Sequence, residues 1–511
     1  MKLGIDFGTT HTVAAFVDRG NYPVVAFETA NSIPSVIAVR RKDAQLRFGH
    51  DAVALARDPE WSVLRSFKRL LADAGPLTQV EAGGHRFPIS KLLTSFLTHV
   101  RLQLTTRSNA GIEEGEPLQA AVSVPANASS AQRFLTLDAF RQAGFEVKAL
   151  LNEPSAAGFE YAHRFSTTLT SRREHVVVYD LGGGTFDASL IHLAGRASRV
   201  VTSSGVTRLG GDDFDQAIAD LVAARAELGI LDEAQRASLV DECRSAKDAV
   251  SPNSRRLTVD LTGLGREPLA LPIDEVFAAC LPLVSRSIEA MAPVIGLDGT
   301  GEGSVAWSEV AGIYAVGGAS GFPLVLRMLR ERFGDHRVKR SAHPFAAAAI
   351  GLALFLDEGA GYELSDCLTR HFGVFRESAR GAEVRFDAIF PKDSRVPARG
   401  EPPLEAVRRY RAAHNIGHFR FVECGDLKDG RPDGDVAPWE EIRFPFEPGL
   451  RAEAVLADVS VRRLTHEGPE VEERYRCTAA GTLEVALTVL DDGYSQTFTV
   501  RAPLPDRTAS N

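Results

Sequence analysis

The hydrophobic pattern of the chain falls into short apolar runs broken by glycine turns, and one such unit occurs twice. The first is Leu3-Gly4-Ile5-Asp6-Phe7-Gly8-Thr9-Thr10, followed by an apolar run from Val13 to Val17. The second is Val176-Val177-Val178-Tyr179-Asp180-Leu181-Gly182-Gly183-Gly184-Thr185-Phe186-Asp187, followed by Ala188 to Leu193. Each predicts a buried strand, an Asp, a Gly/Thr turn and a returning strand. Helical spacing takes over at Ile89 to Leu104, where Leu92, Leu93, Phe96, Leu97, Val100 and Leu104 share a face. Ala120 to Val124 predicts a buried strand stopped by Pro125, with a helix over 129–143 and another opening at Glu153-Pro154. Ser166 to Glu174 predicts a loop, 210–290 a mainly helical insertion with a short β element near Leu257 to Leu261, and Ile313 to Val316 a strand. A glycine turn at 317–321 and a helix over Phe322 to Phe333 follow, and the small apolar run Ala346 to Leu356 suits a helix packed tightly on a sheet. Beyond Asp357-Glu358-Gly359-Ala360-Gly361 the pattern becomes strand-like. Leu483, Val485, Leu487 and Val489 alternate before a turn at Asp492-Gly493. The acidic, Pro/Gly-containing stretch from Asp426 to Glu441 predicts a long exposed loop.

The 511 residues, 44% hydrophobic and 24% charged, are ordinary globular material for about two to four domains. A net charge of −9 and a pI near 5.9 argue against a nucleic-acid or anionic-membrane partner, which would select a basic footprint. The five cysteines are scattered without C-x-x-C spacing, which argues against zinc and a disulfide framework and fits a reducing cytoplasm. No H-E-x-x-H occurs, no apolar run is uninterrupted over a bilayer's width, and the first strand begins at once, so neither a membrane span nor a signal peptide is expected.

The repeated turn carries the chemistry. Gly and Thr let backbone N–H groups and hydroxyls approach a phosphate. An Asp at the strand end can hold a hydrated divalent cation beside it. Two like-built lobes with a nucleotide between them follow from the duplication. Alone, Thr9-Thr10 are equally β-favouring residues, Lys68 beside Arg69 is a solvated face, and Asp187 is either a second cation-shell group or a turn cap.

In their order and spacing, GIDFGTT, FKRLL, VSVPA with AQR, NEPSAAG, VYDLGGGTFD, LGGDDFD, SAKDAVS and VGGASGFP resemble the nucleotide-binding domain of the heat-shock-protein-70 (DnaK-type) chaperone family. The resemblance implies an α/β actin-like ATPase fold over 1–356, two lobes (1–172 and 173–356) each with a βββαβα-type core. A linker (357–366) and a C-terminal β-sandwich-like domain (367–511) without an α-helical lid complete the expected organisation. It assigns Gly8, Thr9, Thr10, His11, Gly182, Gly183, Gly184 and Thr185 to the phosphates of ATP or ADP, and Asp6, Asp180 and Asp187 to Mg²⁺ through water, with K⁺ as an optional companion. Lys68, Glu153, Asp180 and Thr185 would place charge and the attacking water. Glu153 also suits a helix N-terminus by itself. Gly210, Gly211, Asp212, Arg244, Lys247, Ser251, Gly317, Gly318 and Ala319 would line the remaining nucleotide surface. Pro125 and Arg133 match a switch-and-relay pair between nucleotide state and interdomain docking; a proline ending a strand is also plainly structural.

Departures concentrate around the base. Asp248 and Gly321 stand where the family carries adenine-flanking arginines, Arg244 where it carries a glutamate, and Phe345 where an Asp is expected near the sugar. Both stacking guanidiniums are therefore expected to be missing. The linker Tyr362-Glu363-Leu364-Ser365-Asp366 lacks the family's leucine run. The implied activity is slow ATP hydrolysis coupled to binding of unfolded or extended polypeptide, with a J-domain protein and a nucleotide exchange factor as partners. The rival readings are a non-hydrolysing nucleotide-sensing scaffold on the same fold and a metabolite kinase of the same superfamily, which needs a base aimed at a bound hydroxyl.

Overall fold

The computed structural model describes residues 1–499 apart from short stretches, of which 296–304 and 379–382 are the longest. Gly75-Pro76, Tyr362, Asp366, Ala480-Gly481 and Val500 lie outside the described residues.

The first lobe opens with the hairpin β1 (Lys2–Phe7) and β2 (His11–Phe16), extended by β3 (Ile33–Pro34). Beside it stand β4 (Val36–Arg40), β5 (Leu46–Phe48) and β6 (Trp61–Arg65), with the short helix α1 (Gly49–Ala54). A hairpin of β7 (Gln79–Ala82) and β8 (His85–Pro88) leads into α2 (Ile89–Thr106), whose predicted apolar stripe is buried in full. Next come β9 (Gln119–Val124), α3 (Ser130–Gln142), β10 (Glu146–Asn152) and α4 (Glu153–Arg164). The lobe's sheet runs β10-β9-β1-β2-β3, with β1, β9 and β10 parallel.

The second lobe repeats the plan. The hairpin β11 (His175–Leu181) and β12 (Phe186–Ala194) continues into β13 (Ala197–Val206). The insertion consists of α5 (Gly211–Arg225), α6 (Glu233–Asp248), the hairpin β14 (Arg256–Val259) and β15 (Leu269–Pro272), α7 (Ile273–Ala290) and α8 (Ala292–Ile295). Then β16 (Val310–Val316), α9 (Pro323–Phe333), β17 (Val338–Arg340) and α10 (Ala347–Leu356) close the lobe. By length and composition the segment Ile273–Ile295 could cross a bilayer. Here its face of Val276, Cys280, Val284 and Ile288 is buried in the lobe's core, and Ser287 bonds the Tyr179 hydroxyl at 2.6 Å.

The halves of the sequence are not the halves of the packing. Helix α4, from the first half, buries Ala157, Tyr161 and Ala162 against β11 and β12; α10, from the second, packs on β1, β2 and β9. The two helices meet so closely that a Cβ on Gly351 would fall 1.7 Å from the Ala156 carbonyl oxygen. Small residues permit this approach, and the pair forms a shared spine between the lobes.

Part of the expected linker is sheet: β18 (Glu363–Ser365) adds to β13 in parallel, as the edge of the second lobe's sheet. The chain continues into β19 (His371–Ser378), β20 (Glu383–Phe390), β21 (Leu404–Arg411), β22 (Ile416–Lys428), β23 (Arg431–Pro445), β24 (Glu470–Cys477), β25 (Leu483–Val489) and β26 (Ser495–Thr499). Two four-stranded sheets, β20-β19-β22-β23 and β21-β24-β25-β26, close over one apolar core as a sandwich. The expected loop at 426–441 is a correction: most of it is β23, paired antiparallel with β22 from Lys428↔Arg431 to Ile416↔Pro445. Its Pro, Gly and Asp residues suggested a loop, but the ladder with β22 overrides those local preferences.

Candidate functional site

The two repeated turns face each other. The turn between β1 and β2 presents Gly8, Thr9 and Thr10, and the turn between β11 and β12 presents Gly182 to Thr185. They touch: a Cβ on Gly183 would lie 2.2 Å from Thr10 Cγ2, and one on Gly184 would lie 2.7 Å from Thr9 Cγ2 and 2.4 Å from Arg69 Nε. Glycine is required there by contact alone. The first turn is pinned by the Gly8 N–H donating to the His11 carbonyl (3.1 Å) and by Ser35 Oγ donating to the Gly8 carbonyl (2.8 Å). The second is pinned by α5, whose first N–H groups, on Gly211 and Asp212, donate to the carbonyls of Gly182 (3.0 Å) and Gly183 (2.7 Å). Gly210 lets this helix start close by, since a Cβ there would sit 2.6 Å from Gly184 N. The backbone N–H groups of Thr9, Thr10, Gly183 and Gly184 are left with no protein acceptor among the described residues. Such grouped donors form an anion-binding surface.

Carboxyl groups crowd beneath the turns. Asp6 lies on β1 and accepts from Ser123 Oγ at 2.7 Å; Asp180 and Asp187 are register partners on β11 and β12. Asp187 is buried within the sheet, while Asp6 and Asp180 keep some surface at the floor of the cleft. Enclosure, then the charge of Glu153, pushes Asp6 up to about 6 and Asp187 up to about 7. Asp180 is raised further, by enclosure, then by Glu153, Asp6 and Asp187. Asp187 is the second residue of β12. Lys68 enters this group from a 3₁₀ turn over Phe67–Asp73, anchored by Phe67 packing on Phe7 and Phe96. Its Nζ donates to Glu153 Oε1 at 2.7 Å, and both side chains are buried. Burial works against the ammonium, but Glu153, Asp6 and Asp180 outweigh it and hold its pKa above the ordinary value. Glu153 is also the first residue of α4, where a carboxylate complements the helix dipole. Thr185 closes the second turn, its carbonyl accepting from Gly182 N–H at 3.0 Å.

The residues assigned to the base are differently occupied. Arg244 is held by three carboxylates, Asp215 (2.8 Å), Asp241 (2.9 Å) and Asp212 (3.3 Å). Lys247 pairs with Asp215 at 2.6 Å and is buried. Ser251 is exposed, its hydroxyl against Ser254. Gly317 (φ +81°) abuts Asp180, Ala319 lies against Gly211, and Gly318 borders open space. His11 opens β2 at the cleft, exposed to solvent, with Asp248, Arg244, His50 and Asp212 within electrostatic reach.

Sequence reasoning missed the ties that span the cleft. Ser66 Oγ donates to Asp212 Oδ2 (2.7 Å), Arg65 pairs with Asp241 (2.9 Å), and Arg69 Nη2 donates to the Gly184 carbonyl (2.6 Å). Ser66 is held at φ +51°, an uncommon conformation for a residue with a side chain. Only the neighbourhood of FKRLL marked this segment. Pro125 ends β9; Arg133 on α3 donates to Asn152 Oδ1 at 2.5 Å. Burial pushes the thiol of Cys477, in the sandwich, up to about 12.

A model of the Hsp70 protein family matches residues 71–363, more than half of the chain. The chain is 31% identical over 425 residues to "Chaperone protein HscA homolog" of Variovorax paradoxus (strain S110), covering 78% of this chain and 65% of that protein. It is 33% identical over 377 residues to "Chaperone protein HscA" of Enterobacter sp. (strain 638), covering 70% and 58%. The matched region thus spans somewhat under two thirds of these relatives' length.

Proposed function

The chain belongs to the Hsp70 family, and from that premise we propose that it is an ATP-dependent, chaperone-like ATPase that binds unfolded or extended polypeptide through its C-terminal sandwich. The observation that carries the nucleotide half is the meeting of the two turns, with four uncommitted backbone N–H groups above a buried Lys68–Glu153 pair. The triphosphate would take the N–H groups of Thr9, Thr10, Gly183 and Gly184. Lys68 would share its ammonium between Glu153 and the terminal phosphate, and Glu153 and Thr185 would orient the attacking water.

The carboxyl groups suit a divalent cation. Asp6, Asp180 and Asp187 crowd one another with Lys68 as the cation facing them, and burial first, then neighbouring carboxylates, raises their pKa values, which a cation would offset. Among the described residues no three acidic, His or Cys side chains converge for direct ligation. Asp6, Asp180 and Asp187 would therefore hold Mg²⁺ through its waters. When bound, Mg²⁺ neutralises phosphate charge.

The polypeptide half rests on the sandwich and on β18, which joins linker and lobe by main-chain bonds. A J-domain protein and a nucleotide exchange factor are the partners implied by membership, and a cytoplasmic setting fits the relatives' class. Single-turnover hydrolysis of ATP by the wild-type protein and Lys68→Ala, with and without a reduced, unfolded peptide, tests the proposal. Peptide-stimulated turnover lost in Lys68→Ala is expected. Nucleotide binding without turnover in either protein would instead establish the sensor reading.

A further inference from the structure

Strands β11, β16 and β17 run parallel and end side by side. Ligands of parallel sheets gather beyond the carboxyl ends of their strands. Here the three ends deliver Asp180, the turn 317–321 and Arg340. Gly317 meets Asp180 at the near end of the turn; Gly321 lies at its far end, and there the structure departs from expectation. A Cβ on Gly321 would stand 2.7 Å from Arg340 Nη2 and 3.6 Å from its Cζ, and no other residue comes within 4 Å. The backbone at Gly321 is not left-handed, and what a Cβ there would meet is the movable end of the exposed Arg340 side chain. With no side chain at 321, the guanidinium that arrives from 340 rests directly over the turn.

Arg340 is exposed and has no carboxylate partner among the described residues. Its counterparts around the cleft are committed: Arg244 to three aspartates, Arg65 to Asp241, and Arg69 to the Gly184 carbonyl. A guanidinium left unpaired beside a glycine turn offers a flat cationic face to a planar, electron-rich ring. Gly317 abuts Asp180, so the turn 317–321 stands beside a nucleotide whose phosphates occupy the turns at 8–10 and 182–185. We infer that Arg340 packs on the base of the bound nucleotide, supplying from β17 the guanidinium that position 321 lacks. This inference rests on the nucleotide reading above.

Calorimetry with Mg·ATP and with inorganic tripolyphosphate tests it, on the wild-type protein, Arg340→Ala and the transplant Gly321→Arg/Arg340→Ala. Base stacking on a side chain is worth about 1–3 kcal/mol, so Arg340→Ala should weaken ATP binding by about fivefold to about a hundredfold. Tripolyphosphate binding and the melting curve should not move, since the residue is exposed and the probe has no base. The transplant should recover ATP affinity, because removing Arg340 frees the volume that an arginine at 321 needs. Undiminished ATP affinity in Arg340→Ala would overturn the inference, as would an equal loss for ATP and tripolyphosphate, which marks a phosphate contact. A wild-type protein that binds neither probe would refute the nucleotide reading itself, and this inference with it.

Discussion

The Lys68–Glu153 pair makes the sharpest prediction about how the cleft is held. At 2.7 Å, with side-chain exposures of 5% and 12%, the pair is nearly out of water. Two unit charges at that distance attract by about 6 kcal/mol at an effective dielectric near 20, and desolvation of both ions cancels much of this. Removing one partner is therefore far worse than removing both. Lys68→Met keeps the length of the side chain but leaves Glu153, Asp6 and Asp180 without the cation that faces them. We expect a loss of about 3–5 kcal/mol from the first lobe in the nucleotide-free protein. Lys68→Met combined with Glu153→Gln should recover most of it, giving a coupling of about 2 kcal/mol or more in a double-mutant cycle. Denaturant unfolding followed by Trp61 fluorescence, in a background with Trp307→Phe and Trp439→Phe, reports on this lobe, since Trp61 lies on β6. Catalysis should separate from stability: the double variant regains its midpoint but not its turnover, both groups being needed to place phosphate and water. A Lys68→Met cost under about 1 kcal/mol, additive with Glu153→Gln, would refute the argument that the pair is desolvated and interdependent.

The remaining predictions address the spine, the cleft and the sandwich. Gly351→Ala puts a methyl 1.7 Å from the Ala156 carbonyl, so α4 and α10 must part; a loss of about 3 kcal/mol or insolubility is expected, while Gly318→Ala, facing open space, should melt like the wild type. Arg65→Ala removes a half-exposed tie across the cleft worth about 0.2–1 kcal/mol, so labelled nucleotide should leave up to about fivefold faster in stopped flow, an effect that shrinks in high salt. In the sandwich, Glu473 is buried against Arg376 (2.6 Å), and Glu473→Gln, which leaves that guanidinium with Asp387 as its one carboxylate among the described residues, should cost about 1.5–3 kcal/mol in thermal melts. Asp387 gives the sandwich its pH dependence. Burial alone would raise its pKa, but hydrogen bonds from Arg408 and Arg376 hold it below the ordinary value. The carboxylate is thus more stable folded than unfolded. Its contribution is present above pH about 4 and lost as pH falls through the folded value. Acid melts of Asp387→Asn should be flatter there than those of the wild type.

Much of this was legible in one dimension. The stripe on α2, the alternation on β25 and the two Gly/Thr turns depend on residues within a few positions of each other, and periodicity reports such local geometry directly. The aspartates at the strand ends were visible for the same reason, because a strand followed by a tight turn sets where its last carboxyl group lies. Lys68 and Glu153 were legible only as members of motifs; that each is the other's partner is a long-range fact.

Tertiary structure decided what depends on residues distant in sequence. The stretch 426–441 looks like a loop until β22 pairs with it, and Glu363–Ser365 looks like a linker until β13 accepts it as an edge. Nothing in the chain order says that α4 and α10 pack on each other's lobes, or that the guanidinium of Arg340 comes to rest beside Gly321, nineteen residues upstream. Hydrophobic spacing and turn chemistry act through the backbone of the segment that carries them. Ion pairing and the filling of a volume depend on which side chains the completed fold brings within a few ångströms.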